Sequence, residues 1–276
     1  GKIAGAIKKK PVLYTPHAYS FLNTESILKQ KIYLTLEQLF SKFNNKVLAC
    51  SVSEKNRAIK EVGHKKKKVL VFENGIKPIQ KTERLSINKT WPETYICSVA
   101  RPSFQKNVEL TIEVIRQVKE QIASIHIVIM GVGFHSPTLE KVKKLITLYQ
   151  LEENITLLPW TEREDIFHII NKASLYISTA RYEGLPYAVI EAMALKKSFV
   201  VTDADGNRDL IEDGENGYLI ANENSAHFAT KIIALLEEEQ TRKVFENKSI
   251  EKFNARFNIE NTIPILEQLY LKEALN

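Results

Sequence analysis

Two carboxylates, Glu183 and Glu191, stand seven intervening residues apart, the first opening the run Glu183-Gly184-Leu185-Pro186 and the second set within Ile190-Glu191-Ala192-Met193-Ala194. Ionised carboxylates accept paired hydrogen bonds from vicinal hydroxyls, so the pair suits a hexose and a ribose. At Glu183 a plain helix-start carboxylate explains the position equally well. At Glu191 that reading weakens, because a charge among small apolar residues needs a partner, and a bound sugar nucleotide would supply one. Arg101 and Lys106 could neutralise a diphosphate together with free backbone N–H groups at a helix start. An Arg and a Lys in a loop are, on their own, more often mere surface.

Gly131-Val132-Gly133 follows the most apolar run of the chain and permits close approach of backbone to a ligand. It is no dinucleotide fingerprint, since Ser136 stands where GxGxxG needs its third glycine. Asp205-Gly206-Asn207-Arg208-Asp209 is either a surface turn or a loop that closes around a ligand. His17, in Thr15-Pro16-His17, can donate a hydrogen bond into a cleft or serve as acid or base. HExxH, clustered Cys or His, and the P-loop pattern are absent, and no DxD acidic pair of the type that holds a metal over a diphosphate is expected at the end of a strand. No metal and no cofactor is therefore expected, and charge neutralisation falls to Arg101, Lys106 and helix N-termini.

The elements that must hold these residues follow from hydrophobic periodicity. Strands over Val12–Thr15, Lys46–Ser51 and Val69–Phe72 alternate with helices over Ser26–Phe43 and Ser53–Glu61, the second capped by Ser53. The stretch from Ile76 to Pro92 is polar, carries Pro78 and Pro92, and reads as a linker. Beyond it, strands over Tyr95–Val99, Ile125–Met130, Ile155–Leu158, Leu175–Ser178 and Ser198–Thr202 alternate with helical patterns. Those helices fall at Val108–Ile122, Thr138–Tyr149, Glu162–Lys172, Tyr187–Leu195 and Ser225–Glu239. Such alternation predicts an α/β protein of two domains, each a parallel sheet with helices on both faces. Ligands bind such sheets beyond the carboxyl ends of their strands, where most of these candidates sit.

Composition narrows the remaining classes. A chain of 276 residues with 44% hydrophobic residues can bury a large core. No run of eighteen apolar residues occurs, and Gly1–Lys10 lacks the pattern of a signal peptide, which predicts a cytoplasmic protein. Cys50 and Cys97 each lie in a short apolar run and read as buried, reduced thiols. The net charge of +6 and the basic runs Lys8–Lys10 and Lys65–Lys68 permit attraction to an anionic membrane face. Nucleic acid is not expected, because no zinc-finger spacing, RNP-type pattern or GxxG clamp accompanies that charge.

Taken in order, Tyr14-Thr15-Pro16-His17, Ser51-Val52-Ser53-Glu54, Glu73-Asn74-Gly75-Ile76, Val99-Ala100-Arg101 with Lys106, Met130-Gly131-Val132-Gly133, Glu183 through Ala194, and Glu215-Asn216-Gly217-Tyr218-Leu219 resemble the retaining glycosyltransferases called glycosyl transferases group 1. The resemblance implies the GT-B fold of two facing Rossmann-like domains. It implies transfer of a hexosyl group from a nucleoside diphosphate sugar, UDP- or GDP-linked, to a glycan or lipid-linked acceptor, without a cofactor. Arg101 and Lys106 would hold the diphosphate, Glu183 the hexose and Glu191 the ribose, while His17 would reach across the cleft. Gly131, Gly133, Gly184, Leu185 and Pro186 would complete the donor site.

The loop Asp205–Asp209 resembles that of bacterial polysaccharide and lipopolysaccharide assembly enzymes, which implies that pathway; the basic residues and the resemblance to enzymes that use lipid-linked acceptors imply work at the inner face of the cell membrane. Ala100 and Leu185 stand where the family usually has Gly and often Phe. Residues 1–76 are expected to be a partial acceptor-side domain, 77–92 a linker, 93–240 the donor domain and 241–276 helices returning toward the first domain. Gly1–Leu13 reads as the middle of that first domain, about 70 to 100 residues short of an ordinary one, with an exposed sheet edge. The rival readings are a non-hydrolysing sugar-nucleotide epimerase and a nucleotide-sugar-binding fragment without activity of its own.

Overall fold

The computed structural model describes residues 1–43, 45–80, 85–133, 135–221 and 223–274. Helix α1 (Lys2–Ile7) leads into strand β1 (Leu13–Tyr14), and a 3-10 turn at Ser20–Leu22 precedes helix α2 (Ile27–Ser41), capped by the Ser26 hydroxyl. Strand β2 (Lys46–Ala49), helix α3 (Val52–Lys60) and strand β3 (Val69–Val71) complete a three-stranded parallel sheet in the order β1-β2-β3. Its core is small, with Val47, Ala49, Ala58 and Val69 packed under Tyr19 and Phe21.

The cap expected at Ser53 is corrected by one turn geometry. Ser51 holds the extended conformation an N-cap requires and its hydroxyl accepts the Glu54 N–H at 3.0 Å. Ser53 is already helical, and its own N–H donates to Asp209 Oδ1 at 3.1 Å.

The second lobe alternates without interruption. It runs β4 (Ile96–Val99), α4 (Val108–Lys119), β5 (Ile127–Met130), α5 (Leu139–Leu148), β6 (Ile155–Leu158) and α6 (Arg163–Lys172). It continues through β7 (Tyr176–Ser178), α7 (Tyr187–Ala194), β8 (Phe199–Thr202), α8 (Asn207–Leu210), β9 (Gly217–Ile220) and α9 (Ser225–Glu237). All six strands are parallel, in the order β6-β5-β4-β7-β8-β9. Along β5, Ile127 and Ile129 enter one core while Val128 and Met130 enter the other. The unbroken apolar run therefore reflects a strand covered on both faces.

Three elements escaped the sequence reading. Helix α1 and the four-residue α8 are too short to show a helical period, and β9 begins on the Gly of Asn216-Gly217, which reads as a turn. The expected helix Ser225–Glu239 ends at Glu237, and α10 (Glu239–Lys252) begins two residues on. A π-helical turn at Phe253–Phe257 then leads into α11 (Ile259–Ala274). There the chain meets the end of the first lobe: the Ile76 N–H donates to Phe257 O at 2.9 Å and the Ile259 N–H to Ile76 O at 3.0 Å. Farther along α11, Glu273 forms an ion pair with Lys46 of β2. The architecture is two Rossmann-like α/β lobes with parallel sheets, of GT-B type.

Candidate active site

In the larger sheet β4 pairs with both β5 and β7, and the order reverses between β4 and β7. A crevice opens where connections leave such neighbouring strands in opposite directions. The loop after β4 carries Arg101 and Lys106, and the loop after β7 carries Glu183–Pro186. They are stitched together: Arg181 N–H donates to Gln105 O at 2.8 Å, and the Thr179 hydroxyl to Asn107 O at 3.0 Å. Asn107 takes a left-handed conformation (φ 49°) to bring the chain from this loop into α4.

Glu183 is buried, 7% exposed, and is held from two directions. Lys106 Nζ donates to its Oε1 at 2.6 Å and Gln105 Nε2 to its Oε2 at 3.1 Å. The plain helix-start carboxylate is thereby replaced by an internal ion pair at the switch point. Beside it, burial and then the Glu183 charge push the Tyr182 hydroxyl up to about 12.

The smaller lobe supplies the opposite wall. His17 and Ala18 both adopt positive φ (51° and 71°), an uncommon pairing for residues with a Cβ. A Cβ added to Gly184 would lie 2.9 Å from Ala18 N and 3.1 Å from His17 C, so only glycine lets the two loops meet. Ala18 N–H donates to Glu54 Oε1 at 2.7 Å, and Cys50 N–H to Glu54 Oε2 at 2.8 Å. Asn74 Nδ2 bonds Leu185 O at 3.0 Å. Between these walls lies a cavity of about 430 Å³ lined by His17, Lys106, Glu183, Gly184, Leu185 and Pro186, among others.

The remaining candidates, Arg101, Gly131, Gly133 and Glu191, are not among the residues that line this cavity. Arg101 is exposed just past β4, and Gly131 (φ 87°) follows β5 beside it, with space for a Cβ 4.0 Å from Arg101 N. Gly133 faces open space and its N–H donates to Ser136 Oγ at 3.1 Å. Glu191, one turn into α7, does have the partner its apolar setting demands: Arg163 Nη2 of α6, at 2.8 Å. Burial raises the Glu191 carboxyl above its ordinary range, and Arg163 pulls it back.

Several residues went unread in the sequence. Arg57 of α3 reaches across the cleft to Asp205, with Nε 2.7 Å from Oδ2, and Arg208 Nη1 bonds Asp205 Oδ1 at 2.8 Å. Contrary to the expectation that no DxD pair stands at a strand end, Asp203-Ala204-Asp205 directly follows β8; both carboxylates meet the Arg208 guanidinium, and Asp205 also pairs with Arg57. Among the described residues no three His, Cys, Asp or Glu side chains gather as a metal site. Gln105 also escaped, and Glu54 enters the sequence analysis only as part of Ser51-Val52-Ser53-Glu54, with no role given to it, although Ser51-x-x-Glu54 has the spacing of a capping box.

A doubly wound lobe facing a second parallel-sheet lobe across this cleft is the build of a GT-B glycosyltransferase. Residues 80–252 match the family described as Glycosyl transferases group 1, and the chain belongs to it. It is 26% identical over 280 residues to an uncharacterized glycosyltransferase of Methanocaldococcus jannaschii, covering 95% of this chain and 69% of that one. It is 25% identical over 293 residues to the UDP-Gal:alpha-D-GlcNAc-diphosphoundecaprenol alpha-1,3-galactosyltransferase of Escherichia coli, covering 100% and 73%. The crystal structure of Anabaena HepE in complex with UDP-glucose shares the fold, with a TM-score of 0.80 at 21% identity over 98% of this chain and 75% of that one. The protein is thus related to bacterial enzymes of polysaccharide biosynthesis.

Proposed function

We propose that this protein moves a hexosyl group from a UDP- or GDP-hexose to a hydroxyl of a glycan or lipid-linked acceptor in cell-surface polysaccharide biosynthesis, with retention at the anomeric carbon. The observation that carries this reading is the single cavity in which the Lys106–Glu183 pair of one lobe faces His17 of the other. Cleavage of the donor builds negative charge on the departing diphosphate and oxocarbenium character on the sugar. Preorganised cations aimed at the leaving group then supply most of the rate. Lys106, with Arg101 at the end of β4, holds the diphosphate, while Gly131 and Gly133 let the donor approach the backbone.

Glu183 positions the hexose and stabilises its developing positive charge, and Gly184, Leu185 and Pro186 offer backbone at the start of α7. Attack comes from the face the diphosphate leaves, whose oxygen helps deprotonate the acceptor, so Glu183 is no covalent nucleophile of the glycosidase kind. Glu191 takes the ribose hydroxyls, and His17 meets the transferred sugar from the acceptor side. Residues 1–76 serve the acceptor, 77–92 link, 93–240 hold the donor and 241–276 return to the first lobe. Among the described residues no helix is long and apolar enough to cross a membrane. The proposed site of work is the cytoplasm, at the inner face of the cell membrane through peripheral contact with anionic lipid.

Proton NMR of the product formed from an α-linked donor tests the reaction. An α-glycoside is expected; a β-glycoside overturns retention, and a free epimerised nucleotide sugar replaces transfer with epimerisation.

A further inference from the structure

The His17 loop is held in a conformation that its own residues disfavour. Two successive residues with side chains sit in the left-handed region, at a cost of order 1–3 kcal/mol each, so something outside the loop must fix them. The close approach of Gly184 to Ala18 N and His17 C gives the loop room against the far lobe but is not what holds it. The anchor is Glu54. It occupies the third position of α3, where a capping-box carboxylate would return to the N-cap N–H. Here one oxygen takes the N–H of Cys50, just before the cap, and the other leaves the helix altogether to take Ala18 N–H at 2.7 Å.

Glu54 is 3% exposed and has no Lys, Arg or His in ion-pairing range among the described residues. A buried carboxylate without a cation is costly unless its oxygens are filled, and both of these are filled by backbone N–H groups. One belongs to the strand-to-helix turn of the rigid sheet and the other to the loop that carries His17.

We propose that Glu54 is a positioning residue for glycosyl transfer: it clamps the loop after β1 to the start of α3 and so sets where the His17 imidazole stands against the donor sugar. This rests on the reading that gives His17 a part in transfer. The clamp acts on the acceptor-side wall only, so nucleotide held by Arg101, Lys106 and Glu191 in the other lobe should not feel it.

The test combines Glu54→Gln, Glu54→Asp, Ser51→Ala and His17→Ala. The Gln variant presents an NH₂ group to N–H donors, and the Asp variant is one methylene too short to reach both, which keeps the comparison if the Gln variant is unstable. Ser51→Ala weakens the cap of the same helix without touching the loop. In ¹H–¹⁵N spectra the Ala18 amide proton should move upfield and exchange faster in both Glu54 variants while staying in place in Ser51→Ala. An unmoved Ala18 amide overturns the clamp whether or not activity is measured.

In turnover assays Glu54→Gln should lower kcat by about 10- to 100-fold, with the Kd of the nucleoside diphosphate within about twofold of wild type. In a His17→Ala background the same change should have no further effect. Equal losses in both backgrounds, or a matching loss of nucleotide affinity, make Glu54 a structural residue and overturn the proposal alone. A full kcat in His17→Ala removes the catalytic reading of His17, and the positioning role with it.

Discussion

Lys106 serves two anions in turn: the Glu183 carboxylate it already touches, and the diphosphate proposed to enter beside it. Replacing it with Met removes the cation from a buried carboxylate, which costs about 1–3 kcal/mol of stability, and should also weaken nucleoside diphosphate binding. Chemical denaturation and calorimetric titration read the two effects separately, and unchanged diphosphate affinity would leave Lys106 with a structural role only.

Glu191 gives a pH dependence whose sign is fixed. Its carboxyl is raised in the folded state by burial, so it adds stability below the ordinary value of 4.5 and loses that contribution as pH rises through the raised one. Arg163→Met removes the opposing cation, extending the loss to higher pH. The denaturant midpoint of that variant should therefore fall more steeply than wild type between pH 4.5 and neutrality.

His64 works in the opposite sense. It is buried, both ring nitrogens lack a hydrogen-bond partner, and burial, then the neighbouring Lys2 charge, pushes it down to about 4. Stability should fall as pH drops from 6.5 toward 4, because the unfolded chain binds the proton first. Replacing His64 with Phe should flatten that part of the profile.

At the scale of elements, the loop between β8 and α8 buttresses the site from behind. Gly206 holds φ 80°, and a Cβ there would lie 2.9 Å from Glu183 Cβ. Gly206→Ala should cost about 1–3 kcal/mol and displace Glu183, seen as a lowered Tm together with reduced turnover.

Apart from α8 and β9, the alternating elements of the larger lobe are legible because their strands are compact apolar runs and their helices show a stripe, as Ile112, Ile115 and Val118 do. The placing of Arg101 and Lys106 after β4, and of Glu183 after β7, followed from strand order alone. What stayed hidden is long-range. Ser53 looked like a cap because nothing local reveals that its N–H is spent on Asp209, far along the chain. The loop Asp205–Asp209 stays open between a surface turn and a ligand loop in the sequence because the partner of Asp205, Arg57, comes from the other lobe. The apolar pattern around Glu191 asks for a partner and suggests a bound sugar nucleotide, but it cannot show that Arg163 already stands there.

Over the whole molecule, polar contacts span the cleft: Arg57 with Asp205, Ser53 with Asp209, Asn74 with Leu185, and Tyr182 Oη with Asn23 Oδ1 at 2.7 Å. The Arg57–Asp205 pair is partly buried, with side chains 21% and 12% exposed, so it outweighs an exposed pair yet is still weakened by salt, and Arg57→Ala should let the lobes separate. Small-angle scattering should show a larger radius of gyration for that variant, with the wild type approaching it as salt is raised; equal radii at all salt concentrations would count against this. The chain passes between lobes twice, at Ile76 and at Asn258, and these passages are hydrogen-bonded side by side. Gly75 lies so close to them that a Cβ would sit 2.9 Å from Phe257 O. Two ropes knotted at one point cannot slide or twist independently. Any opening that admits donor or frees product is thereby confined to swinging about that knot, and a swing that presents the donor also sets its angle to the acceptor.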